Sequence, residues 1–298
     1  MTPPEHVPAG GAAPSAAASG DGASGEPHAR ETHAREALSP EAQARVERER
    51  AAHTEDDVLG KSAALKDRFA HIWRYPALRR LLGRMDAHLD AARGRRVLDY
   101  GCGRGERSVD LLGRGAVVDG IDISPVYVAQ AERAAREAGH DPERFRFIVG
   151  DAHELPYDDQ TFDLVVGDGI LHHLELSRAL REVHRVLAPG GRALFREPLL
   201  DNPLLKVFRR LTPAARTEDE LPLSGADLAM IEGSGLWRVE SAYCGLLSAP
   251  LAVATSLVLR PWPNNAVLRA ADRAEQALAG RPRLAPMNQY VLLDLVRT

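Results

Sequence analysis

From Arg95 onward, short apolar runs alternate with stretches whose apolar positions recur every three or four residues. The runs Val97–Leu98, Ala116–Ile121, Arg144–Val149, Phe162–Val166 and Arg192–Phe195 predict strands. Between them the spacing predicts helices up to Leu112, from Pro125 to about Gly139, and from Ser177 to Leu187. Pro189-Gly190-Gly191 reads as a tight turn into the fifth strand. Strands alternating with helices at these intervals imply βαβ units, hence a parallel sheet with helices on both faces. Beyond Glu197 the alternation breaks. A polar, proline-punctuated stretch runs from Pro198 to Ile231, and Trp237–Tyr243 and Gln289–Val296 read as further strands. Leu246–Leu284 reads as helical with a loop at Pro261-Trp262-Pro263.

The flanks are simpler. Met1 to about Pro40 is Ala, Gly, Ser, Pro and Glu without an aromatic residue, which predicts a disordered tail. His6, His28 and His33 within it read as incidental. From Glu41 the composition turns helical, with Ser39-Pro40-Glu41 as a helix start. A second helix over Pro76–Ala92 carries Leu78, Leu81, Leu82, Met85 and Leu89 on one stripe. These helices either cap a site or cover a sheet face, and Phe69, His71, Trp73 and Tyr75 either line a pocket or pack in a core. The expected organisation is a tail (1–40), a helical cap (41–93) and a main domain (94–298) with insertions at 198–235 and 246–286.

Composition changes this picture little. The 298 residues carry a net charge of −4, so no strong field recruits nucleic acid or an anionic membrane. Cys102 and Cys244 lie far apart without metal or redox spacing, which fits a reducing cytoplasm. The longest apolar stretch, Leu246–Leu259, contains a proline and is short for a membrane span. No basic segment followed by an apolar run opens the chain, so no secretory signal is expected.

The candidate chemistry collects where the predicted strands end. Gly101, Gly103 and Gly105 alternate through a turn after the first strand, and Asp99 precedes them. Such a turn cradles a nucleotide-type ligand. No Lys-Ser/Thr pair follows the glycines, so the turn is not a P-loop, and an aspartate there repels a pyrophosphate but can hold an ammonium. Asp122 ends the second strand, where an acid grips ribose hydroxyls. Asp151-Ala152 ends the third, where a carboxylate accepts from an exocyclic amine. Asp168 and Glu197 follow the fourth and fifth, and ligands of open parallel sheets bind at that end.

The segments VLDYGCGRGERSVDLL, GIDISP, GDAHELPY, FDLVVGDGILHHL and REVHRVLAPGGRALF, in that order, resemble class I S-adenosylmethionine-dependent methyltransferases of the bacterial small-molecule type. The resemblance covers about Arg95 to Pro198. It implies a Rossmann-like α/β fold, mostly parallel with an antiparallel last strand, and S-adenosyl-L-methionine as cofactor. It further implies that Asp99, Gly101, Cys102 and Gly103 hold the methionine part, Asp122 and Ile123 the ribose, and Asp151, Ala152 and His153 the adenine. The resemblance also implies that Gly167, Asp168 and Ile170 line the passage near the sulfonium. For Asp122 and Asp151 the plain alternative is helix capping.

An oxygen or nitrogen acceptor also loses a proton, for which histidine is suited. His172, His173 and Glu197 are the candidate catalytic residues, with Glu197 otherwise read as a salt-bridge partner of Arg196, Arg209 or Arg216. Neighbouring histidines on a helix face different ways, so at most one acts. Asp168 with Asp201-Asn202 only faintly resembles a metal-dependent pattern, because the pair falls several residues late; no metal site is expected. The expected partner is a small-molecule acceptor, gripped in part by Arg209, Arg210 or Arg216 and by an apolar pocket near Trp262. A non-catalytic S-adenosylmethionine-binding protein, a nicotinamide-dependent oxidoreductase and a nucleic-acid or protein methyltransferase are the rival readings.

Overall fold

The structure, a computed structural model, describes residues 43–44, 46–48, 50, 74–211, 221–258 and 264–298. The expected tail, Phe69, His71, Trp73, Arg216 and the Pro261-Trp262-Pro263 loop lie outside the described residues, as do most of residues 41–73.

Seven strands form one sheet in the order β3-β2-β1-β4-β5-β7-β6. They are β1 (Arg96–Tyr100), β2 (Val117–Asp122), β3 (Phe145–Val149), β4 (Phe162–Asp168), β5 (Leu187–Pro198), β6 (Trp237–Cys244) and β7 (Tyr290–Arg297). The first five run parallel, and β7 inserts antiparallel between β5 and β6. The helices are α1 (Pro76–Leu89), α2 (Glu106–Gly113), α3 (Pro125–Glu137), α4 (Leu176–Val186), α5 (Pro203–Leu211), α6 (Gly225–Gly233), α7 (Ser248–Val258) and α8 (Ala266–Leu278).

The expected strand β5 begins earlier than its apolar run. Phe162 pairs with Leu187, then Leu164 with Arg192, so the Pro189-Gly190-Gly191 turn sits inside the strand as a register shift. Gly190, at φ +72°, supplies the backbone conformation for that kink. The predicted helix over Pro76–Ala92 divides into α1 and a 3₁₀ turn, Asp90–Ala92.

Two apolar layers sandwich the sheet. On α4, Leu176, Ala179, Leu180, Val183 and Val186 recur at helical spacing and are all buried. They pack with Leu98, Val165, Phe195 and Leu293, a layer that α6 joins through Leu228 and Ile231. On the other face Leu78, Leu81, Met85 and Leu89 of α1 pack with Val97, Leu164, Val166 and Leu194. Burial of each such side chain stabilises the fold by about 1.5–3 kcal/mol. The leucine stripe of α1 therefore covers a sheet face. Both layers hold the carboxyl ends of β1, β2 and β4 rigidly at one edge, where a cleft opens.

Candidate cofactor cleft

The cleft has a volume of about 190 Å³. Its floor is the turn after β1. Gly101 (φ +76°), Gly103 (φ +51°) and Gly105 (φ +86°) take left-handed backbone that a side chain would strain. A Cβ on Gly101 would also lie 2.8 Å from Ile170, and one on Gly105 would lie 2.7 Å from the Cα of Ala131 in α3. Gly101 and Cys102 both donate their N–H groups to the Ile121 carbonyl at 2.9 Å. Gly103 donates to Asp122 Oδ2 at 2.9 Å, and Gly105 to the Cys102 carbonyl. These four amides are thus committed within the protein. The turn is not an anion nest, which agrees with a ligand that brings no phosphate to this point.

Asp122 lines the cleft between the turn and α3. Its Oδ1 accepts from Ser124 N–H and its Oδ2 from Gly103 N–H, both at 2.9 Å. Ser124 caps α3 by accepting from Tyr127 N–H, so capping belongs to the serine.

Asp151 and Ala152 form the next part of the wall. His153 is buried beneath them. Its Nδ1 lies 2.7 Å from Asp151 Oδ1, and its Nε2 accepts the Glu175 N–H at 2.8 Å. A backbone amide only donates, so the neutral ring carries its proton on Nδ1 and gives it to Asp151. Burial alone would raise the Asp151 carboxyl, but the His153 ring and amide donors outweigh it and hold it below the usual value. Tyr100 fixes the same wall, donating its hydroxyl to the Ala152 carbonyl at 2.6 Å.

A further part of the wall comes from the 3₁₀ turn Leu171–His173 after β4. Glu197 is fully buried behind it. Glu197 Oε1 accepts from Ile170 N–H (3.0 Å) and Leu171 N–H (2.9 Å), and Oε2 lies 2.7 Å from His172 Nδ1. His173 lines the cleft itself, and the two imidazole rings lie tilted at 39° with centroids 4.1 Å apart. Glu197 thus pairs with His172 rather than with Arg196. Arg196 instead pairs with Asp168, Nη2 to Oδ1 at 2.6 Å.

The structure gathers Gly101, Asp122, Ile123, Asp151, Ala152, Asp168, Ile170 and His173 around one cleft. It sets others behind it. Asp99 is buried and accepts from Ser108 Oγ at 2.5 Å; burial pushes its carboxyl up to about 6 despite that hydrogen bond. Burial likewise raises the Cys102 thiol far above its usual value, which rules out a thiolate there. Gly167 is a packing glycine, since a Cβ on it would lie 2.6 Å from the Phe195 ring. Asp201 accepts from Gly225 N–H, and Asn202 Oδ1 accepts from Leu204 and Leu205 N–H at the start of α5. Among the described residues, no three His, Cys, Asp or Glu side chains converge as metal ligands. No described helix is long and apolar enough to cross a membrane.

Tyr127, Gly150, Gly169 and Leu174 also line the cleft and carry no signal beyond their neighbours in the motifs. Tyr127 was findable as the residue facing back from the first turn of α3. Its ring lies under the Arg104 guanidinium, 5.6 Å from the centroid.

Comparison with known proteins agrees with this geometry. Residues 98–195 match the profile of the methyltransferase domain family. The chain is 39% identical over 126 residues to 27-O-demethylrifamycin SV methyltransferase of Amycolatopsis mediterranei, which covers 42% of this chain and 46% of that protein. It is 36% identical over 137 residues to demethylmenaquinone methyltransferase of Thermus thermophilus, covering 42% and 60%. The chain thus spans about half the length of the curated relatives it matches. The fold resembles Haemonchus contortus phosphoethanolamine N-methyltransferase 2 in complex with S-adenosyl-L-methionine, at a TM-score of 0.50 and 19% identity over 72% of this chain and 52% of that one. The glycine turn, the acids at successive strand ends and the matched segment define a Rossmann-like methyltransferase domain. Residues 98–195, about a third of the chain, are thus similar to the methyltransferase domain family.

Proposed function

We propose that the protein transfers the methyl group of S-adenosyl-L-methionine to a small-molecule acceptor, a specialised metabolite, at an oxygen atom. The carrying observation is that Asp122, Asp151, Asp168 and His173 face one cleft over the glycine turn. The donor set fits this cofactor: carboxylates that line the cleft suit hydroxyls and amines, and the amides of Gly101, Cys102, Gly103 and Gly105 are already committed within the protein. Asp122 holds the ribose hydroxyls, Asp151 and Ala152 hold the adenine, and Gly101, Asp168 and Ile170 flank the methionine side. His153 is a positioning residue for Asp151, and Ser108 for Asp99. The relative named for 27-O-demethylrifamycin SV supports an oxygen acceptor; carbon or nitrogen is the second reading.

When bound, the cofactor supplies a methyl group already activated on a sulfonium. The protein's task is alignment, which can lower a barrier by about 7–11 kcal/mol, and removal of the acceptor's proton. Glu197 clamps the amides of Ile170 and Leu171 and orients His172 through Nδ1. That clamp sets the turn on which His173 stands in the cleft, and His173 takes the proton.

The test is incubation of the purified protein, methyl-labelled cofactor and an extract of its own cells, with isolation of the labelled product. A labelled small molecule with the methyl on oxygen is expected. Labelled protein or nucleic acid, or tight binding of NAD without binding of S-adenosylhomocysteine, would overturn the reading.

A further inference from the structure

A second and larger cavity, of about 520 Å³, lies at the far edge of the sheet. It is bounded by β6 on one side and by α1, α6, α8 and the 3₁₀ segment Pro282–Met287 on the others. β6 is three strands from β4 in the sheet order, which at strand spacing is about 15 Å. No residue that lines the cofactor cleft also lines this cavity.

Its inner wall is apolar, with Leu228, Val239, Ala242, Leu246, Leu284 and Pro286. Three arginines also line it, Arg80 partly buried and Arg84 and Arg281 exposed toward solvent. Arg80 spends one nitrogen on Asp272, Nη2 to Oδ1 at 2.6 Å. Arg84 and Arg281 have no acidic partner among the described residues. Of the two glutamates, Glu232 is exposed at the rim. Glu275 is buried and already accepts from the amides of Gly245, Leu247 and Ser248 and from Ser248 Oγ. One polar atom on a lining residue, Arg80 Nε, is buried without a hydrogen-bond partner. Proteins seldom leave such atoms unsatisfied without a reason. The volume falls within the range of small-molecule sites, and an apolar body with convergent polar groups at one end is their usual make-up.

We propose that this cavity is a second ligand site, separate from the cofactor cleft, for a small molecule with an apolar body and a carboxylate head. The hydrocarbon part lies against Leu228, Val239 and Leu284, and the carboxylate meets Arg84 and Arg281. Arginine's planar fork suits that head group better than a hydroxyl.

The experiment uses the full chain with saturating S-adenosylhomocysteine, so that the cofactor cleft is filled. Binding of the fluorescent apolar anion 8-anilinonaphthalene-1-sulfonate is followed, with decanoate and decanol as competitors. The site predicts saturable binding that decanoate displaces at concentrations about tenfold lower than decanol does. The double variant Arg84→Ala/Arg281→Ala should bind the dye about tenfold more weakly. Ala229→Trp, a change at an exposed helix position lining the cavity, should block it by bulk. Both variants should bind S-adenosylhomocysteine as the unaltered protein does, which reports that they fold. Dye affinity unchanged in the two variants, equal competition by decanol, or no saturable dye binding while S-adenosylhomocysteine is saturating would each overturn the proposal.

Discussion

Two histidine–carboxylate pairs stand beside the same cleft, one through Asp151 and one behind the Leu171–His173 turn, and they do different work. In one pair His153 spends both ring nitrogens on the fold, Nδ1 on Asp151 and Nε2 on the Glu175 amide. In the other, Glu197 spends one oxygen on two amides and the other on His172, whose neighbour His173 faces the cleft. The pairs look alike by distance, 2.7 Å in each case. What separates them is the direction of service: in the first the imidazole orients a carboxylate that lines the cleft, and in the second the carboxylate orients the turn that carries an imidazole. A histidine beside an acid is therefore no role in itself until both of its nitrogens have been followed to their partners.

The largest effect that can break this contrast is Glu197→Ala. It strands two buried amides and the His172 ring, and should lower unfolding free energy by about 3–5 kcal/mol in chemical denaturation. A loss below about 1 kcal/mol would show that the carboxylate is not the clamp described.

A buried acid beneath the glycine turn sharpens the comparison through pH. The Asp99 carboxyl, raised from 3.8 to about 6 in the fold, favours its protonated form there. That contribution is fully present below about pH 4 and is lost as pH rises through about 6, an amount near 3 kcal/mol. Asp99→Asn lacks this titration, so its stability relative to the unaltered protein should rise by about 3 kcal/mol between pH 4 and pH 7. Parallel stability profiles would contradict the assignment.

His173→Ala should leave stability nearly unchanged and reduce turnover at saturating cofactor by about 100-fold, the lower end for a lost general base. His153→Ala should behave in the opposite way, losing about 1–3 kcal/mol of stability through unmade hydrogen bonds while turnover at saturating cofactor stays within about twofold. Equal loss of turnover in both variants would collapse the distinction between the two pairs.

Much of this was legible in the chain before any coordinates. The apolar runs lie within a few residues of strands β1 to β7, because alternation of strand and helix is written locally. The insertion of β7 between β5 and β6 was not, since strand order depends on pairing between distant segments. The role of Glu197 was hidden for the same reason. Its position at a strand end advertises chemistry, but its partners Ile170, Leu171 and His172 come from about 25 residues earlier and are found only in three dimensions. His153 likewise read as a ligand contact from its place in the motif, whereas its second nitrogen is occupied by Glu175, the residue that opens α4. Local motifs marked where the cleft is; the division of labour among its side chains is non-local.

The most direct measurement is calorimetric titration of S-adenosylhomocysteine into the full chain and into Asp122→Ala. The account predicts saturable binding at one site per chain, weakened in the variant by about 1–3 kcal/mol, or 5- to 150-fold, through loss of hydrogen bonds to the ribose hydroxyls. No binding to the unaltered protein, or equal affinity in the variant, would contradict it.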